Sequence, residues 1–228
     1  GDKSLSALGL GGTHTGITTL ESAAAYAVFG NGGLYYEPTL YTKVTDKRGE
    51  IILEQNTQPT MAFSEDTAMI MNKMLQNVIY GPNGTGKAQA GTFSKFRAFG
   101  KTGTSNDSKD KWFVGGTPYY VASSWVGYQT QQKMPASNTG LAAKLWRQVM
   151  GEIHKNLPAK DYPTTKYVVK RYYCAKTGLL ATDACEKIDI GWYKKTGLPA
   201  KCTEHEGSLL EPPKTDVMPD KDETSSDT

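Results

Sequence analysis

The chain has 228 residues, 38% hydrophobic and 21% charged, enough for one substantial folded domain plus an appendage. Its 26 Lys and Arg against 23 Asp and Glu leave a net charge of +3, and the basic residues are scattered, so no nucleic-acid partner is expected. No apolar run approaches the roughly 20 residues that span a bilayer, and no signal peptide is recognisable.

The chain begins at Gly1 rather than Met, so a fragment or processed chain is expected, with any targeting segment upstream. Residues 1–16 are Gly-rich and read as loop. Thr18-x-x-Glu21 is a capping box, and Leu20, Ala23, Ala24, Ala27 and Val28 form one face of the helix it opens. Gly30-Asn31-Gly32-Gly33 ends that helix. Residues 41–45 and 50–54 flank Asp46-Lys47-Arg48-Gly49, a hairpin signature. Ser64 can cap a second helix running to about Tyr80, with Ala68, Met71, Leu75 and Val78 as its stripe; Met69, Met71 and Met74 are core filler. Residues 81–91 read as loop. Residues 93–100, 111–116 and 119–128 read as three strands, close enough in sequence for an antiparallel meander. A third helix runs from Leu141 to about Ile153, with Ala142, Leu145, Trp146, Val149 and Ile153 at helical spacing.

This order predicts an α+β fold, an antiparallel sheet covered by helices, over residues 1–156. Composition changes at Leu157. Residues 157–206 carry all three cysteines (Cys174, Cys185 and Cys202) and read as a small appendage, while 207–228 is acidic, apolar-poor and expected to be disordered.

Charge, hydroxyls and backbone flexibility converge beside regular structure at Lys101-Thr102-Gly103-Thr104-Ser105. Lys-Thr-Gly occurs three times, at Lys101–Gly103, Lys176–Gly178 and Lys195–Gly197, so the tripeptide alone is a weak signal. Only the first copy is followed by a hydroxyl residue and flanked by two strand-like runs; the others read as turns. On a strand, Lys101 and Gly103 face one way and Thr102 and Thr104 the other. Gly103 permits close approach, and a cation with hydroxyls suits an anionic, extended, peptide-like ligand. The bland alternative is a solvated hairpin end.

Gly81-x-x-x-x-Gly86-Lys87 falls one residue short of a phosphate loop: position 88 is Ala, so the hydroxyl that would bind magnesium is missing, and a helix rather than a strand precedes it. Ser108-x-x-Lys111 matches a Ser-x-x-Lys nucleophile pair in spelling but sits in turn composition, where the two cannot stand one helical turn apart. His14 and His154 have no local partners, and His154 reads as a cation at a helix C-terminus. His205 completes a Cys₃His set with Cys174, Cys185 and Cys202. Zinc would accept those ligands, but the first two lack the tight Cys-x-x-Cys spacing, which favours a disulfide among the three. On that reading no metal and no cofactor is assigned.

Gly100-Lys101-Thr102-Gly103-Thr104-Ser105-Asn106-Asp107, followed by Asp110-Lys111-Trp112-Phe113-Val114-Gly115-Gly116, resembles the third active-site motif of penicillin-binding transpeptidases and the strand after it. Thr18–Ala27 with Asn31-Gly32-Gly33, Leu75–Val78 into Gly84-Thr85-Gly86, and Trp125-Val126-Gly127-Tyr128 are similar to further segments of that family. The pattern Cys174, Gly178–Ala181, Cys185, Pro199, Cys202, His205 resembles the C-terminal extension of its bifunctional, class A, Gram-positive-type members. The resemblance covers about residues 8–206.

What the resemblance implies is a serine β-lactamase-like α+β domain, of which this chain is the C-terminal part. The family's Ser-x-x-Lys and Ser-x-Asn motifs precede Lys-Thr-Gly, and neither stands before Lys101 in this sequence. Lys101 and Thr104 would be catalytic: Lys101 by supplying positive potential, Thr104 by its backbone N–H in an oxyanion hole. Thr102, Gly103 and Thr104 would bind substrate, the two hydroxyls taking the carboxylate of a D-Ala-D-Ala stem peptide or a β-lactam. The expected partners are peptidoglycan stem peptides, β-lactams and the missing N-terminal half of the domain. The expected place is the extracellular face of the bacterial cytoplasmic membrane, with an anchor and a glycosyltransferase domain upstream. The competing readings are a D,D-carboxypeptidase or β-lactamase-like hydrolase, and a non-catalytic wall- or partner-binding module.

Overall fold

The computed structural model describes residues 11–12, 15–91 and 93–212. Most of the Gly-rich start, His14, and the tail from residue 213 lie outside the described residues. The chain divides into two compact units, residues 1–165 and 166–228.

The first unit opens on the expected capping box. The Thr18 hydroxyl accepts from the Glu21 amide (3.2 Å), and the Glu21 carboxylate accepts from the Thr18 amide (2.7 Å), which starts α1 (Thr19–Ala27). Next come β1 (Leu34–Tyr35), β2 (Lys43–Thr45), β3 (Ile51–Glu54) and β4 (Thr60–Met61). β2 and β3 form the expected hairpin, its turn held by the Asp46 carboxylate accepting from the amides of Arg48 and Glu50. β1 pairs with β4, two residues each, too short to leave a periodic signal. α2 (Glu65–Tyr80) begins after Ser64, whose side chain makes no capping hydrogen bond to the helix, and buries Ala68, Asn72, Leu75, Gln76 and Ile79; Met74, expected in the core, is exposed. Within the stretch read as loop, Lys87–Ala90 makes a single helical turn, α3.

The sheet is an antiparallel meander of β5 (Phe99–Thr104), β6 (Asp110–Gly116) and β7 (Val121–Gly127), in that order, with β5 at one edge. β5 begins later than the sequence implies, at Phe99 rather than residue 93. Phe96, Ala98 and Phe99 are all buried, and the Ala98 amide donates to the Tyr80 hydroxyl (3.0 Å), so this approach to the strand packs inward instead of alternating.

Cross-strand partners share a face. Gly100 faces Gly115 and Thr102 faces Phe113 on one side of the sheet; Lys101 faces Val114 and Gly103 faces Trp112 on the other. The Phe113 ring lies over the facing glycines: a Cβ added at Gly100 would sit 2.6 Å from it, and one at Gly115 3.1 Å. α4 (Leu141–His154) covers this side. Its Trp146 ring lies 5.0 Å from Phe113 and donates its indole N–H to the Gly115 carbonyl (3.1 Å). Ile79, Ala90, Ala98, Phe113, Ala142, Ala143, Trp146 and Met150 make one buried cluster, so α2, α3 and α4 share a core with β6 and with Ala98, the residue just before β5.

His154 ends α4, but it is buried at 3% exposure, not an exposed terminal cation. Its Nδ1 donates to the Met150 carbonyl (2.7 Å), which leaves Nε2 facing the Thr117 hydroxyl (2.6 Å) inside a ring of aromatic side chains that includes Phe96 and Tyr120. Tyr162 lies beyond the composition break at 157 yet belongs to the first unit. Its hydroxyl donates toward the carbonyls of Arg97 (2.6 Å) and Gly116 (3.1 Å), and burial pushes its ionisation above the ordinary tyrosine range.

The second unit is built on an antiparallel hairpin of β8 (Val168–Cys174) and β9 (Ile188–Lys194). Residues 208–210, which composition assigns to the tail, run beside 181–183: the Asp183 amide donates to the Ser208 carbonyl (3.0 Å) and the Leu210 amide to the Ala181 carbonyl (3.1 Å). Among the described residues no helix is long and apolar enough to cross a membrane.

Candidate functional site

Lys101, Thr102, Gly103 and Thr104 form the C-terminal half of β5, on the strand whose outer edge has no partner strand among the described residues. Lys101 and Thr104 are exposed, Thr102 and Gly103 half-buried. Lys101 and Gly103 share the face of Val114 and Trp112, while Thr102 and Thr104 share that of Phe113 and Lys111. The Lys101 ammonium nevertheless curls along the strand, donating to the Thr102 carbonyl (2.9 Å) and hydroxyl (3.3 Å). At Gly103 the sheet is pinched: an added Cβ would stand 3.0 Å from Trp112 Cβ.

A residue that the sequence reading gave no role joins this cluster. Thr85, in the loop after α2, hydrogen-bonds the Thr102 hydroxyl through its own (2.9 Å). Only its place in the Gly84-Thr85-Gly86 resemblance hinted at it. The same loop is no phosphate cradle, because the Gly86 amide donates back to the Val78 carbonyl (2.9 Å) at the end of α2. Beyond Thr104, the Ser105 hydroxyl donates to Asp110 (2.7 Å) and accepts from its amide (2.8 Å). The other Asp110 oxygen accepts from the Trp125 indole (2.9 Å), which fixes the β5–β6 turn across all three strands. Ser108 lies in the 3₁₀ turn Asn106–Ser108 at φ 57° and Lys111 in β6, so this Ser-x-x-Lys is not one turn of a helix.

The other two Lys-Thr-Gly copies lie in the second unit. Gly178 has φ 73° and donates its amide to the Cys174 carbonyl (2.8 Å), closing a tight turn; Lys195–Gly197 is a 3₁₀ turn after β9. Neither stands on a strand.

Cys174, Cys185 and Cys202 are free thiols, so the disulfide favoured from their number is not formed. Their sulfurs and a His205 ring nitrogen instead lie within 4.8 Å of one another. His205 Nδ1 is 3.6 Å from Cys174 Sγ and 3.3 Å from Cys202 Sγ. The Thr177 hydroxyl, followed by His205, holds the Cys202 thiol down to about 6. The hydrogen bond with Cys202 in turn holds His205 above the ordinary imidazole range.

The fold and the β5 cluster define the class: an α+β transpeptidase-type domain with a Lys-Thr-Gly edge strand. The family model of the penicillin-binding protein transpeptidase domain matches residues 2–151, and the chain belongs to that family. It is 36% identical over 221 residues to penicillin-binding protein 1A of Clostridium tetani, covering 90% of this chain and 27% of the relative. It is 41% identical over 179 residues to the Clostridium botulinum (strain Langeland) protein of the same name, covering 78% and 21%. The chain therefore spans about a quarter of the length of these relatives. Among solved structures, penicillin-binding protein 1A from Haemophilus influenzae superposes with a TM-score of 0.70 at 24% identity, over 81% of this chain and 33% of that one. PonA1 from Mycobacterium tuberculosis superposes with a TM-score of 0.57 at 18% identity, over 86% and 47%. At those identities the likeness shows the shared fold, which is the antiparallel, helix-covered α+β architecture expected from the sequence.

Proposed function

We propose that this chain forms the Lys-Thr-Gly wall of a serine-type D,D-transpeptidase that cross-links peptidoglycan, with the acylated serine supplied by sequence outside these 228 residues. The observation that carries the reading is the edge placement of Lys101–Thr104, which offers an ammonium and two hydroxyls along a strand whose outer edge has no partner strand among the described residues and could take an extended peptide.

In that site the Thr102 and Thr104 hydroxyls bind the carboxylate of the D-Ala-D-Ala stem or of a β-lactam. Lys101 supplies positive potential beside the nucleophile. The Thr104 amide contributes half of the oxyanion hole, a donor worth about 3 kcal/mol of barrier in such sites. The serine attacks the penultimate D-Ala carbonyl, D-Ala leaves, and an acceptor amine resolves the acyl-enzyme. Within this chain the only serine with a lysine three residues on is Ser108, and its turn geometry cannot serve. The site faces the outer side of the bacterial cytoplasmic membrane.

Labelling with a fluorescent penicillin tests the reading. The isolated chain is expected to stay unlabelled, and the longer natural protein to be labelled. Lys101→Ala in the longer protein should slow acylation strongly. Covalent labelling of the isolated chain, or normal acylation of the Lys101→Ala protein, would overturn it. Recovery of cross-linked peptide rather than hydrolysed stem from the longer protein separates transfer from carboxypeptidase action.

A further inference from the structure

We propose that Cys174, Cys185, Cys202 and His205 hold a structural zinc ion that organises the second unit. All four ligand atoms already lie within 4.8 Å of one another. Tetrahedral zinc has sulfurs at about 2.3 Å and nitrogens at about 2.0 Å, which places S···S edges near 3.8 Å and S···N edges near 3.5 Å. The measured S···N separations are 3.6 Å for Cys174 and 3.3 Å for Cys202. A disulfide between any two of these cysteines would leave the third thiol and the imidazole packed against it without a role.

The surroundings fit metal thiolates. Cys174 opens a tight turn, closed by the Gly178 amide donating to the Cys174 carbonyl (2.8 Å), and Cys202 opens the bend at 203–205 that carries His205. Thr177 Oγ1 lies 3.5 Å from Cys202 Sγ, so the first turn also supports the second sulfur. The Thr182 amide donates to Cys185 Sγ (3.4 Å), and the fully buried Thr182 hydroxyl donates to the His205 carbonyl (2.7 Å). The Lys176–Glu204 ion pair (2.7 Å) links the two turns from outside. Such outer contacts orient metal ligands and weaken binding about 10–100-fold when lost.

An independent observation is the poverty of the core. Among the described residues of the second unit the buried apolar ones are Val168, Cys174, Leu180, Ala181 and Cys202, so two of the five are the thiols themselves. A unit of this size with so little buried hydrocarbon needs a covalent or metal staple. Three thiolates and one imidazole close a four-coordinate site with no position left for water, the structural rather than the catalytic arrangement. Binding releases the remaining thiol protons to solvent, and its free energy becomes folding free energy.

The test uses the full chain purified under reducing conditions. Elemental analysis should find one zinc per chain. Cobalt(II) added to the zinc-free chain should give the thiolate charge-transfer and visible bands of a tetrahedral site. His205→Ala and Cys185→Ser should each weaken cobalt binding more than 100-fold, while His205→Cys keeps a four-ligand set and binds. Thr177→Val and Thr182→Val, which touch no metal, should each weaken it about 10–100-fold. If three free thiols titrate in the wild-type chain and no cobalt bands appear, the site does not exist. A disulfide plus one thiol, or full-strength binding by Cys185→Ser, would also overturn it. Because the wild-type spectrum decides by itself, a variant that fails to fold does not protect the proposal.

Discussion

Replacing the glycine in each of the three Lys-Thr-Gly copies by alanine should give three different results. At Gly103 the added Cβ would stand 3.0 Å from Trp112 Cβ, whereas facing side chains across an antiparallel pair normally keep their Cβ atoms about 4.5–5.5 Å apart. Trp112 and β5 would have to separate by a few tenths of an ångström, and overpacking of that kind costs about 1–3 kcal/mol. At Gly178 the space is open but φ is 73°. The left-handed penalty is about 1–2 kcal/mol, partly offset by about 0.5 kcal/mol from a stiffer unfolded chain, for a net loss of about 1 kcal/mol. At Gly197 nothing lies within 4 Å and φ is ordinary, so alanine should stabilise by about 0.4–1 kcal/mol. Urea unfolding of the 228-residue chain reads all three, Gly103→Ala in the transition of the first unit and the other two in that of the second. Equal effects at the three positions, or no cost at Gly103, would refute the claim that the first copy is held at a pinched strand pair. In the longer protein Gly103→Ala should also slow penicillin acylation, because Lys101 and Thr102 move with the strand.

Thr85→Val and Thr102→Val each remove one side of the hydroxyl pair, so a double-mutant cycle in urea should return a coupling of about 0.5–1 kcal/mol; strict additivity would show that the pair does not form. Ser123 carries a buried hydroxyl with no hydrogen-bond partner among the described residues, and Ser123→Ala should raise stability by about 1 kcal/mol; a loss would mean the hydroxyl is partnered. The Glu21 carboxyl is held below its ordinary value of 4.5 by the Thr18 amide and then the Thr18 hydroxyl. Because the folded value is the lower one, the contribution is present above pH 4.5 and fades as pH falls through the folded value. Glu21→Gln should flatten that part of the stability profile, and an unchanged acid limb would argue against the capping box.

A capping box made α1 legible and helical spacing made α2 and α4 legible, but the expected stripe of α4 is only half right: Ala142 and Trp146 are buried with Ala143, Met150 and His154, while Leu145, Val149 and Ile153 are exposed. The β5–β6–β7 meander was legible because its turns are polar and short. The start of β5 was not, since Phe96, Ala98 and Phe99 pack inward one after another and erase the alternation that marks a strand. Lys101–Thr104 was visible as a motif, but its pairing with Thr85 was not, because a loop and a strand 17 residues apart meet only through the packing of α2 on β5. Cys202-x-x-His205 was visible as a local pair. Its convergence with Cys174 and Cys185 depends on the β8–β9 hairpin, whose half-buried strands lack the hydrophobic contrast that periodicity detects.

The order of the sheet bears on how this wall is made. β5, β6 and β7 are consecutive, joined by connections of five residues (105–109) and four (117–120), so each strand closes onto a neighbour already at hand. Closing such short loops costs little chain entropy, and local pairings of this kind assemble quickly. The register that sets Lys101 against Val114 is therefore decided within about 30 residues of chain, by Asp110 gripping Ser105 and Trp125, before any distant segment arrives. A later-docking segment would meet a surface already laid out, and mutations that disturb its docking should leave the refolding rate of this sheet unchanged.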